Sequence, residues 1–141
     1  MKRPTKSRRG ERGQALVEFA FVGIAFFILV LGMIDVGRAV WNYNTLAQAT
    51  REGTRYAIVH GSKATDPSGP GDEQAVKDRV AQFGSGLNSA QLTVTPTWID
   101  GGNAPGSRVK VTTQYSFQPF FGFLGSVSIP LKSSSTMTIT N

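Results

Sequence analysis

Residues 15–34 read ALVEFAFVGIAFFILVLGMI, twenty consecutive positions in which Glu18 is the only charged side chain. A helix of that length rises about 30 Å, the thickness of a hydrocarbon core. A cleavable secretory signal has a shorter apolar region and leaves through small residues in an A-x-A-like pattern. Here the exit is Asp35-Val36-Gly37-Arg38, so the stretch reads as a retained membrane-spanning helix. Residues 1–13 carry Lys2, Arg3, Lys6, Arg8, Arg9 and Arg12 against Glu11 alone. The positive-inside rule then places this arm in the cytoplasm and everything after Asp35 outside.

The arm also accounts for the basic character of the chain. Its six cations and one acid supply +5 of the formal +6, leaving about +1 for everything that follows. A nucleic-acid-binding domain would carry its cations on a helix face or along a groove, so nucleic acid is excluded as a partner. The sequence has no cysteine, which excludes disulfides, thiol chemistry and cysteine-based zinc sites. The single histidine, His60, supplies neither a metal site nor a Ser/His/Asp arrangement. Asp66, Asp72, Glu73, Asp78 and Asp100 fall in loops or on a helix with no cleft signature. No metal, no cofactor and no enzymatic activity are therefore expected.

Helical patterning continues past the span. Val36, Val40, Tyr43, Ala47, Thr50, Thr54 and Ala57 recur at alternating steps of four and three, which predicts an apolar face on a helix running from Ala15 to His60. Gly61 then supplies a left-handed C-cap. Asp35 and Arg38, at i and i+3, read as an interfacial pair at the outer headgroups. Residues 62–72 form a breaker-rich loop, and Asp72 is expected to cap a short helix to Phe83 with Val76, Val80 and Phe83 on its apolar side. From Gln91 the period changes to two. Leu92, Val94, Pro96 and Trp98 alternate with threonines, and Val109, Val111, Thr113, Tyr115 and Phe117 alternate with polar residues. A third alternating run from Val127 to Ile139 is interrupted at Pro130, which points to an edge, and at Ser133, Ser134 and Ser135.

The predicted fold class is α+β. A long N-terminal helix comprises a transmembrane half (14–34) and an extracytoplasmic stalk (35–60). It carries a small domain (61–141) of one short helix and a three- to four-stranded antiparallel sheet. About 80 residues without a staple have little core of their own, so the sheet is expected to pack on the stalk. The aromatic run Phe117, Phe120, Phe121, Phe123 with Leu124 reads as a plug between the two or, if exposed, as a subunit contact.

The junction of arm and span reads Arg12-Gly13-Gln14-Ala15-Leu16-Val17-Glu18-Phe19. A glycine closing a basic leader, before an apolar helix with Glu at its fifth position, resembles the processing site of type IV prepilins. More narrowly, GQALVEFA followed by IDVGRAVWNYNTLAQATREGTRYAIV is similar to the TadE-like family of pseudopilins from Flp/Tad pilus systems. The resemblance implies a pilin-like minor subunit, cut between Gly13 and Gln14 by a prepilin peptidase, with Glu18 and Phe19 serving assembly. It implies the membrane, the major Flp pilin and partner pseudopilins as partners, and a single-pass place in the bacterial cytoplasmic membrane or in a cell-surface pilus. The typical major Flp pilin has Tyr after the glutamate and no outer domain; Phe19 and the domain after residue 60 both point to the minor role.

The motif also makes physical sense alone. A carboxylate in an apolar span costs about 2.5–3.5 kcal/mol at the helix centre and less near an end. If cleavage frees the amine of Gln14, a pair with Glu18 at about 4 Å and an effective dielectric of 20 is attracted by about 4 kcal/mol. Formed with a neighbouring chain, that pair sets an axial stagger; formed within one chain, it only neutralises the acid. A scissile bond must also be presented in extended form, which a glycine allows cheaply. In the rival reading, Glu18 snorkels to the cytoplasmic headgroups and an uncleaved signal anchor displays an adhesive or sensory module. The residue found at the mature N-terminus separates the two.

Overall fold

The computed structural model describes residues 9–120 and 127–141, with side chains described from Gly13 onward. One helix, α1 (Arg9–Val59), takes in 51 residues, a rod about 77 Å long at the standard rise. No proline falls between Arg12 and Asp66 to break it. The helix starts earlier than Ala15 and stops one residue short of His60, whose N–H still donates to the Tyr56 carbonyl at 3.1 Å. A turn-rich connection leads to α2 (Gln74–Phe83), a single 3-10 turn (Ser89–Gln91) and the strands β1 (Leu92–Trp98), β2 (Arg108–Phe117) and β3 (Ile129–Thr138).

The sheet is an antiparallel meander in the order β1-β2-β3. Its register sets Trp98 opposite Val109, Tyr115 opposite Leu131 and Phe117 opposite Ile129. Along β2 the inward side chains Val109, Val111, Thr113, Tyr115 and Phe117 are all buried, while Arg108, Lys110 and Gln114 face out. Both helices cover that inner face, α1 across β2 and β3 and α2 beside it against β1. One core cluster joins Ala49 and Ala57 of α1, Val76 and Val80 of α2, Trp98, Val109, Val111 and Ile139. A second joins Leu46 to Tyr115 and Phe117. Each large apolar side chain so buried contributes about 1.5–3 kcal/mol, and both clusters include residues of α1. The head is therefore built on the stem, as its size requires.

The face of α1 that meets the head is the expected one only in its upper half, where Thr50, Thr54 and Ala57 are buried. Val36, Val40 and Tyr43 are exposed, whereas Leu46, Ala49, Thr50, Gly53, Thr54 and Ala57 are buried. Close approach selects this face by size rather than by hydropathy: a Cβ on Gly53 would run into Val80 Cγ2. Gly61 is likewise not a left-handed cap, since its φ is not positive. It is buried because the Asn141 backbone and the Ile139 side chain occupy the space a Cβ would need. Asp72 does not cap α2. Glu73 stands at the N-cap without a capping bond from its side chain, which instead pairs with Lys77 at 2.9 Å. Phe83 is 41% exposed, its ring lying under the Arg79 guanidinium at 4.6 Å. The serines do not interrupt β3. Ser133 and Ser135 keep the alternation as half-buried inward residues, small enough for α1 to lie close. Pro130 does sit on an edge strand, and so does Pro96.

Candidate functional site

The motif residues all lie in the first turns of α1. Gly13, Gln14, Glu18 and Phe19 are exposed, Phe19 by 76%. No residue between Gly13 and Ile34 is buried, and this stretch belongs to the one described helix long and apolar enough to cross a membrane. Nothing stands within 4 Å of where a Gly13 side chain would begin, so the Gly13-Gln14 bond is accessible. It is not extended: α1 runs through it from Arg9. A protease reading this bond must first unwind the last turn of the leader, and glycine is the residue for which leaving a helix costs least. Gln14 and Glu18 are one turn apart, i and i+4, and share a helix face. Among the described residues Glu18 has no hydrogen-bond or ion-pair partner.

At the other end of the apolar stretch stands Asp35, only 9% exposed. Arg38 Nη1 donates to its Oδ1 at 2.9 Å, the pair expected from their spacing. The same oxygen also accepts the backbone N–H of Phe120 at 3.0 Å. Sequence reasoning missed this third member because nothing local marks a contact between positions 85 residues apart. The Arg38 guanidinium lies 5.5 Å from the Phe117 ring and 5.7 Å from that of Phe120, within the range of a cation–π attraction. Of the aromatic run, Phe117 is buried as a plug and Phe120 is 77% exposed. Phe121, Phe123 and Leu124 lie outside the described residues.

Between these ends the stem is held to the sheet by hydroxyls. Thr50 and Thr113 are fully buried, with their Oγ1 atoms 2.6 Å apart. Thr50 Oγ1 also lies 2.6 Å from the Leu46 carbonyl, and Thr113 Oγ1 lies 3.4 Å from that of Ser133. Each hydroxyl has one proton. The shorter contacts are both satisfied if Thr50 donates to Leu46 and Thr113 donates to Thr50. Higher up, Thr140 N–H donates to the Ile58 carbonyl at 3.0 Å. His60 stacks on Tyr56 at 3.8 Å, with its Nδ1 2.9 Å from the Tyr56 carbonyl. With Glu52, Arg55 and Arg79 these two rings line an open cleft of about 370 Å³.

No curated protein and no solved structure matches the chain. A family-model match falls on the apolar stretch and most of the stem, and it stops before the head. Residues 13–55 match the family model described as TadE-like protein, so this part of α1 is similar to that family.

Proposed function

We propose that the chain is a pilin-like structural subunit, a minor pilin or pseudopilin of a Tad-type pilus. In this reading it is cut between Gly13 and Gln14 and assembled through the lower half of α1. The observation that carries the proposal is the bareness of that half: an apolar helix with no described residue burying it and a single carboxylate without a described partner, one turn beyond an exposed glycine bond. Removing residues 1–13 takes away the basic anchor that holds the N-terminus at one membrane face. It also creates a cation at Gln14, on the same face as Glu18. Paired between neighbouring chains, the two groups set how far one helix is shifted against the next. A prepilin peptidase, the major Flp pilin and partner pseudopilins are the interacting proteins this role requires.

N-terminal sequencing of the membrane-extracted protein, from cells with and without the peptidase, is the test. Gln14 at the N-terminus only in the presence of the peptidase is expected; an intact arm in both cases supports the uncleaved anchor instead. Glu18→Gln separates assembly from insertion. Loss of the charge lowers the insertion cost, so the variant should be inserted and cleaved as before. An amine left unpaired between helices costs several kcal/mol, so cross-linking to other pilin-like subunits should fall. Unchanged cross-linking would leave Glu18 as an acid that merely snorkels.

A further inference from the structure

The tie between Asp35 and Phe120 fixes a level in the molecule. Asp35 follows directly on the last residue of the apolar stretch, so whatever it holds lies where hydrocarbon gives way to headgroups once the helix spans a bilayer. The backbone of Phe120 is bonded to this carboxylate, and the Arg38 side chain reaches the same oxygen from one turn above. Arg38 is 44% exposed at its side chain. The neighbouring end of the sheet, where Phe117 pairs with Ile129, presents apolar side chains to solvent: Phe120 is 77% exposed, Val127 47% and Ile129 44%. Polar residues cover the outer sheet face further up.

We infer that this end of the head, Phe120 with Val127, Ile129 and the Arg38 guanidinium, seats in the headgroup layer of the leaflet on the head's side, with Asp35 as its tie. The inference rests on the reading of residues 15–34 as a membrane span. Lipid is the occupant that position dictates, because the Phe120 backbone is bonded to Asp35, the residue next after the apolar stretch that lipid must already surround. Its chemistry also fits. Exposed Phe, Val and Ile side chains at this depth can sink to the boundary of headgroups and acyl chains, and an arginine there keeps its stem in the apolar layer and its charge among phosphates. Span and head then meet the bilayer at two places, and the head does not swing freely about its stem.

The absence of cysteine makes the test clean. Single variants Leu29→Cys, Phe120→Cys and Thr97→Cys of the full chain each carry one environment-sensitive fluorophore, in phospholipid nanodiscs loaded with one chain each. Lipids bearing a nitroxide quencher are then added, deep in the acyl region or near the headgroup. The expected result is quenching of position 29 by the deep nitroxide. Position 120 should be quenched by the shallow one, several-fold more strongly than position 97. Asp35→Ala should lower quenching at position 120 and leave position 29 unchanged. Quenching at 29 with none at 120 overturns the seating alone, and so does a blue-shifted but unquenched label at 120, the mark of a protein contact. No quenching at 29 overturns the span reading itself.

Discussion

At the residue scale, the seam between stem and sheet depends on a hydroxyl pair whose removal can be divided into its parts. Thr50→Val leaves Thr113 with only the distant Ser133 carbonyl at 3.4 Å, and a buried donor left unsatisfied costs about 1–3 kcal/mol. Thr113→Val should cost less, because Thr50 keeps the Leu46 carbonyl at 2.6 Å. The double variant should lose less than the two single losses added, since the orphaned donor has then gone as well; denaturant unfolding of the detergent-solubilised chain, followed by tryptophan emission, measures all three. A second test lies in the β1–β2 connection. The Asp100 carboxylate receives the Arg108 backbone N–H at 2.8 Å, Nε at 3.2 Å and Nη2 at 2.9 Å. The Arg108 side-chain hydrogen bonds, its backbone N–H and its charge hold this carboxyl below its ordinary 3.8. A depressed value in the folded chain means that the contribution is fully present above 3.8 and is lost as pH falls through the lower folded value. The Arg108 amide should therefore stay protected from hydrogen exchange down to that range and open only in stronger acid. Asp100→Asn should weaken the protection at neutral pH.

At the scale of elements, two glycines of α1 should respond to alanine in opposite directions. At Gly37 nothing lies within 4 Å of a new Cβ, so the gain in helix propensity, about 0.8–1 kcal/mol, stands alone. At Gly53 the Cβ meets Val80 Cγ2, a branched side chain with little rotamer freedom. Overpacking at about 1–3 kcal/mol then exceeds the propensity gain. Unfolding midpoints of Gly37→Ala and Gly53→Ala, raised and lowered respectively, check the pair. Gly53 also shows where the sequence stops being readable. Periodicity correctly locates α1, α2 and the three strands, because alternation and helical repeat are local properties. The periodic run rightly marks Thr50, Thr54 and Ala57 as covered, but how far the cover extends depends on how near a second element comes: Ala49 and Gly53 join the buried face, while the larger Val36, Val40 and Tyr43 of the same run stay exposed. The same holds for Ser133 and Ser135, which look like a break until the nearness of α1 explains them. Of the candidate site, Gly13, Gln14, Glu18 and Phe19 were legible as a contiguous motif, and Asp35 with Arg38 as a spacing. The Phe120 N–H was not, since only the folded meander brings it to the stem.

At the scale of the whole molecule, the charge asymmetry about the apolar stretch makes a prediction that the fold alone does not. A reporter active only outside the cytoplasm should work when fused after Asn141. It should fail when the basic residues of the arm are neutralised and new lysines are placed near Arg38, because cations flanking a span set its direction. A cytoplasmic C-terminus in the unaltered chain would remove the pilin-like reading. The continuity of α1 has a mechanical consequence. The stem enters the head as an unbroken helix and is joined to it at Asp35, Thr50 and Ile58, positions spread along about 35 Å of its axis. A force pulling along that axis loads these joints together, in shear, and none can open before the others have begun to give. A sideways force peels them one after another. The molecule is thus stiff to axial tension and weak to lateral tearing, an anisotropy suited to a part whose load arrives along its length.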